Sequence, residues 1–449
     1  MESLLLGAGL LALLTVIATG LSGTWDAIQH RDAPRTVAAT QLNLALNDMD
    51  AQAANILLSS GDSGTGKGRL GESYTNANRI YKQAQETISS SLRTLGAASE
   101  GDKVTEDTVV ALTDDFAQYQ ELVGRALEND EHPGGKDPAR ADYRRATDLL
   151  AQRLLPQARQ LVDANDAVYE GEYDAAHSDL IVQITAEAVL GTLLLAALVV
   201  LQLHLARRFR RIFNPTLFAA TLCALVALVC GGQLLSTSAD QLKIARHDSF
   251  DSMVALSRSK AIGYDANADE SRFLLDATRR DALEKSFLDK SQQLYGLKDA
   301  TLATYDDRLA TTWDAYQRDH TDRQFTGEYR RELDNITFPG EREAAEKTVA
   351  AYAVYQKDDR TFRQLIAEGK VQEATVFCIG WASDTSNAHF GEWMKALDQV
   401  TAINSAHHDQ AIATGRDAIG IKTPIAGGAL LLAGLLLVLG LRARLAEFV

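Results

Sequence analysis

Residues 61–68, Gly-Asp-Ser-Gly-Thr-Gly-Lys-Gly, fit the G-x-x-x-x-G-K spacing of a loop whose backbone amides cradle nucleotide phosphates. Gly68 stands where a Ser or Thr would hold magnesium, and no apolar strand precedes the loop, so the stretch reads as a connection between helices. His389, His407 and His408 share one predicted helix, but adjacent histidines point about 100° apart and converge poorly on a metal. They read as solvated helix surface. The acidic pairs Asp48/Asp50 and Asp265/Asp269 lie near apolar helix faces, where a carboxylate can form a polar core position that responds to binding. Glu187 falls inside an apolar run, and ionisable residues at membrane depth are functional candidates; its place near the end of that run suits the membrane interface. Arg207, Arg208, Arg210 and Arg211 crowd one short loop, and their planar guanidinium groups suit anionic lipid headgroups or an acidic protein surface. No nucleophile–base–orienter set, metal-ligand set or cofactor cradle is recognisable, so the expectation is a non-enzymatic protein without a cofactor.

These residues are distributed over four apolar stretches and two long polar ones. Residues 1–24, 181–204, 216–236 and 423–441 each come near the ~20 residues a helix needs to cross the hydrocarbon core. Residues 25–180 and 237–422 are polar and helical in pattern, 205–215 form a basic loop, and 442–449 form a short tail. Short basic loops stay cytoplasmic, whereas long domains cross largely regardless of charge. The expected topology is therefore a multi-pass protein of the cell membrane with both termini cytoplasmic and both long segments extracytoplasmic. The first span has an apolar run too long for a secretory signal and a poor cleavage site, so it is expected to remain as a membrane helix. The formal net charge is −15, and because the loop and tail are basic, the long segments are more acidic still. Nucleic acid is excluded as a partner, since binding it needs a basic surface. Cys223 and Cys230 lie in the third span and Cys378 stands alone in the second long segment, so no disulfide framework holds either domain.

Within the long segments, apolar residues recur at three-to-four-residue spacing, as in Leu42, Leu46, Met49, Ala53 and Leu57, or Leu112, Phe116, Tyr119 and Leu122. Gly- and Pro-rich breaks at 59–68, 95–102 and 132–138 divide the first segment into four helices, and Pro156 is expected to kink the last. Residues 48–58 align without gaps on 265–275, and 116–120 echo 351–356 in the same order. The expected fold class is an all-α membrane protein, internally duplicated, with four transmembrane helices and two extracytoplasmic domains resembling four-helix bundles. The second copy carries an insertion at about 299–340, expected to be helical in part.

The architecture and the motif at 46–58, Leu-Asn-Asp-Met-Asp-Ala-Gln-Ala-Ala-Asn-Ile-Leu-Leu, resemble the GlnX-type membrane proteins of actinobacteria. That resemblance implies a relay between an extracytoplasmic solute-binding lipoprotein of the glutamine-binding type and a soluble cytoplasmic Ser/Thr protein kinase, coupling amino-acid availability to signalling. The long segments are also similar to the four-helix sensor modules of bacterial chemoreceptors, but no HAMP segment, signalling coiled coil or histidine kinase follows any span. The resemblance transfers no site residues. The expected function is a transmembrane signal relay that touches membrane lipids through its arginines and leaves room for a homodimer; the alternatives are a direct small-molecule sensor and an envelope scaffold. Candidate contacts are Arg207, Arg208, Arg210 and Arg211 inside, and candidate signal-sensitive positions are Asp48, Asp50, Asp265 and Glu187.

Overall fold

In the computed structural model, which describes residues 2–61, 68–98, 103–209 and 214–445, the chain is 89% helical. Among the described residues there is no strand, and one isolated bridge pairs Gly296 with Thr326. The helices are α1 (Glu2–Ala27), α2 (Ala33–Ser59), α3 (Gly71–Ala98), α4 (Lys103–Asp130), α5 (Lys136–Leu149), α6 (Leu155–Phe209) and α7 (Pro215–Lys243) in the first part of the chain. The second part holds α8 (Asp251–Leu275), α9 (Arg280–Leu294), α10 (Tyr305–Arg318), α11 (Glu328–Asp334), α12 (Glu341–Ala367), α13 (Val371–Ile379) and α14 (Ser386–Leu445). The breaks fall where Gly, Pro and short polar residues predict them. The nucleotide-loop mimic at 61–68 lies mostly outside the described residues, as do Arg210 and Arg211.

Four helical runs are long and apolar enough to cross a membrane: Glu2–Ser59, Lys136–Arg207, Pro215–Leu275 and Ser386–Arg442. This is the helix content of a multi-pass membrane protein. The chain divides into two compact units. One comprises Met1–Ala33, Ala167–His247 and His407–Val449, and contains the apolar windows. Leu10, Leu14, Ile17 and Leu21 of α1 are buried in it at helical spacing, with Ala220, Ala224 and Ala227 of α7 and Ala426, Leu430 and Leu437 of α14. Val189, Leu193, Leu222, Leu225, Leu431 and Leu435 are exposed, as apolar side chains facing lipid would be.

Three π-helical turns interrupt the helices, at Ile28–Asp32, Leu150–Leu154 and Ile244–Phe250. The turn at Leu150–Leu154 lies just before Pro156, where the expected break in the helix takes the form of a widened turn; the proline ring has no N–H to give. The other two occupy matching places in the duplicated plan. Around them, Arg31 pairs with Asp32 at 2.7 Å and Glu172 at 3.0 Å, while Arg246 pairs with Glu170 at 2.8 Å. Trp25 is fully buried against Gly415, where a Cβ would lie 2.3 Å from the indole. His408 departs from the expected solvated surface: it is buried, with Nδ1 3.0 Å from the carbonyl of Ala245, an oxygen within the π turn.

The second unit, Pro34–Asp166 with Asp248–Ala406, contains most of both long segments. They pack as one body, a feature that the sequence pattern of two similar bundles does not announce. The first segment's core is mostly aliphatic, with Leu46, Met49, Ala53, Ile88, Leu112 and Val123 buried alongside Phe116, Tyr119 and Tyr143. The second segment's core is aromatic, and the inserted helices α10 and α11 contribute to it through Tyr305, Trp313, Tyr316 and Tyr329. The two halves exchange bulk between elements. Gly263 aligns with Leu46, and a Cβ there would lie 2.8 Å from the ring of Trp393, which fills the space instead.

Candidate functional site

The aligned helices α2 and α8 place their acidic residues around one arginine. Arg272, on α8, donates from Nη2 to Asp50 at 2.5 Å and from Nε to the same carboxylate at 3.1 Å. Its Nη1 reaches Asp269 at 2.6 Å and Asp265 at 3.1 Å. Lys290, on α9, completes the cluster, with Nζ 2.5 Å from Asp269 and 2.9 Å from Asp265. Asp50 is fully buried and also accepts hydrogen bonds from the hydroxyls of Tyr119 on α4, at 2.8 Å, and Tyr143 on α5, at 3.1 Å.

Three carboxylates therefore meet two cations and two phenols in the interior of this unit. Buried charge needs such saturation, because removing one partner strands the rest in a medium of low polarity. Burial pushes the Asp265 carboxyl up, but the cations of Lys290 and Arg272 outweigh it and lower the pKa to about 2. Burial and the neighbouring Asp50 raise both Tyr119 and Tyr143 well above the usual phenol value, which keeps them as donors.

Asp48 lies apart from this cluster. Its carboxylate accepts from Gln52 at 2.9 Å, and burial raises its pKa to about 6, against lowering by Gln52 and Lys260. Of the two pairs singled out in sequence, the structure thus joins Asp50, Asp265 and Asp269 and leaves Asp48 on its own helix. Arg272, Lys290 and the two tyrosines were not singled out as site residues. A signal for Arg272 existed: a cation inside the repeated stretch 265–275, in register with Asn55 of the first copy. Asn55 itself accepts from Ser271 at 2.7 Å, a second buried polar link between α2 and α8.

Beside the ionic cluster opens a cleft of about 430 Å³, bounded by α2, α6, α8 and α9 and by Glu328 of α11. Asn43 and Asn47 line it one helical turn apart and are 7% and 3% exposed. The Asn47 amide donates to the Asn43 carbonyl at 2.8 Å, and both side-chain carbonyl oxygens lack a hydrogen-bond partner among the described residues. An unsatisfied buried acceptor costs ~1–3 kcal/mol, so two adjacent ones call for an explanation. Arg258 on one wall pairs with Asp163 at 2.8 Å, whereas Arg159, exposed at the rim, has no ion pair among the described residues.

In the unit that holds the apolar windows, Glu187 lines a small void with Leu10, Leu14, Ala227 and Leu430. Its carboxylate lies against Gly231, where a Cβ would be 2.0 Å from Oε1, so the side chain enters the packing between the apolar helices. Arg207 is exposed near the end of α6; the positions of the Arg208, Arg210 and Arg211 side chains are outside the description. Among the described residues no group of three His, Cys, Asp or Glu side chains is placed to hold a metal ion.

Residues 24–174 match the family model described as an actinobacterial sensor domain. The match spans the first long segment and supports a sensor role for the protein. No curated protein and no solved structure matches the chain.

Proposed function

We propose that the protein is a transmembrane signal relay, in which an event at the acidic helical unit outside the membrane is read by a partner inside. The helical runs carry this reading. Each of the four, 57 to 72 residues long, includes an apolar window and a stretch of the long polar segments, so both belong to the same helical run. Shifts of ~1–2 Å between packed helices are a familiar form of such a switch, provided the ligand distinguishes two packings by affinity.

In the fuller form of this proposal, the outer event is docking of a solute-loaded binding lipoprotein, and the reader is a soluble Ser/Thr kinase meeting loop 205–215 and tail 442–449. The sensor-domain match and the resemblance to GlnX-type proteins support it. In-cell crosslinking from the long segments and from the loop tests it, with topology checked by reporter fusions at Gly340, expected outside, and Asn214, expected inside. Capture of a solute-binding protein on one side and a kinase on the other is the expected result. A fusion at Gly340 reporting from the cytoplasm would overturn the relay. Direct recognition of a small molecule is the second reading, favoured by the cleft lined by Asn43 and Asn47.

A further inference from the structure

We propose that the cleft between α2, α6, α8 and α9 is a binding site for a small zwitterion, a molecule with an ammonium group and a carboxylate close together. The proposal rests on the second reading above and gives it a ligand class. Its size comes first: about 430 Å³ lies within the ~300–1,000 Å³ typical of small-molecule sites and is too small for a folded partner.

The charge of the walls comes next. Arg159, Arg258 and Lys290 face Asp163, Asp265 and Glu328, three of each sign. Such a lining has no net charge to attract a simple anion or cation, but it offers a partner to each end of a molecule that carries both. The partners are not equally engaged. Lys290 and Asp265 are consumed by the Arg272 cluster, Arg258 by Asp163, and Glu328 by Arg331 at 3.1 Å. Arg159 is the remaining cation, exposed at the rim and without an ion pair among the described residues, and a guanidinium fork suits a carboxylate.

The two asparagines supply the complementary half. Their side-chain carbonyl oxygens are covered from solvent, lack partners among the described residues and can only accept, so a ligand in the cleft meets them once the two amides turn toward it. An ammonium group offers three N–H donors, enough for both oxygens with one left for a wall carboxylate or water. A ligand without N–H donors would leave both acceptors orphaned, and a ligand without a carboxylate would leave Arg159 unused. The site thus discriminates by what it would otherwise leave unpaired.

The test uses the full chain in lipid nanodiscs and three matched probe sets: free glycine, L-alanine, L-serine and L-glutamine, their α-carboxamides, and their N-acetyl derivatives. At least one free amino acid should bind saturably and raise the unfolding temperature. Its carboxamide and its N-acetyl derivative should each bind at least about tenfold more weakly, the scale of one lost charge-assisted hydrogen bond. Arg159→Gln should weaken the free amino acid by a similar factor. Asn47→Leu should remove binding while leaving the unliganded chain as heat-stable or more so, because the orphan acceptor is gone. If that variant unfolds, Arg159→Gln, at an exposed position, decides alone. Derivatives that bind as well as their parents would overturn the zwitterion while leaving a small-molecule site. No binding by any probe would overturn the direct reading itself, and binding untouched by the variants would place the site elsewhere.

Discussion

Two buried acids in the same unit, one from each repeat, accept hydrogen bonds from equivalent tyrosines yet live in different electrostatic worlds. In the first copy, Tyr119 of α4 donates to Asp50 of α2 at 2.8 Å; in the second, Tyr355 of α12 donates to Glu270 of α8 at 2.6 Å. Asp50 is gripped by Arg272 from the other copy. Among the described residues Glu270 has no cation in direct contact; burial and the nearby Asp359 push its pKa well above the usual carboxyl value, against weaker lowering by Tyr355 and Arg363. The tyrosines hold matching places in the two halves, but the acids do not: Asp50 is in register with Asn267 and Glu270 with Ala53, so the halves reach a tyrosine–acid pair from different positions and differ in how its charge is met. One pair became a junction between copies, while the other stayed within its own core.

The comparison breaks most sharply at Arg272. Replacing it by Met strands Asp50, Asp265 and Asp269 in the interior, and Arg272→Met should cost ~3–5 kcal/mol in thermal or denaturant unfolding of the full chain. A loss below about 1 kcal/mol would mean that the junction is not closed in solution.

Acidity separates the regions next. Glu332, also in the second copy, is raised to about 8 by burial and by the adjacent Glu341. Between its unfolded value of 4.5 and about 8 the folded chain binds more protons than the unfolded chain, so this group lowers stability as pH rises through that window. Glu332→Gln should flatten the decline, by up to ~5 kcal/mol at the upper end. Asp265 has the opposite sign: lowered to about 2, it contributes stability above about 4 that is lost as pH falls toward 2. Unfolding temperatures of wild type and E332Q across pH 2–9 check both directions, and parallel curves above pH 4 would refute the assignment for Glu332.

The smallest effect sharpens the comparison between the tyrosines. Tyr119→Phe removes a hydrogen bond to a carboxylate gripped by arginine and should cost ~1.5–3 kcal/mol, whereas Tyr355→Phe removes one to a carboxyl held toward its neutral form and should cost ~0.5–1.5 kcal/mol. Paired unfolding curves near neutral pH read the difference. Equal losses would mean that the two acids carry the same charge.

Much of this was legible in sequence because helices announce themselves by local means. The three-to-four-residue apolar spacing of 42–57, the glycine-rich break after Ser59 and the four apolar windows need no knowledge of distant contacts. The acidic pairs stood out for the same reason, as polar residues beside an apolar face. What stayed hidden depends on pairing across long separations. Asp50 and Arg272 are 222 positions apart, and nothing in a periodicity says that α2 and α8 adjoin. Tyr119 belongs to an apolar stripe and was read as core, which it is; its hydroxyl function appears only once Asp50 is placed opposite. The cleft was invisible because a vacancy has no sequence pattern.

The π turns at Ile28–Asp32 and Ile244–Phe250 have a consequence for how such a chain changes over time. A turn closed by i→i+5 bonds holds one residue more than the α-turn it replaces. Each repeat therefore carries a spare residue at the same place in its plan. Elsewhere in a helix, a single insertion or deletion swings everything downstream by about 100° and scrambles which side chains face inward. At these two turns the loop of backbone can tighten or widen instead. They are the places where the length of the helix is uncoupled from its angular phase, and where a lineage can gain or lose a residue while the faces on either side keep their partners.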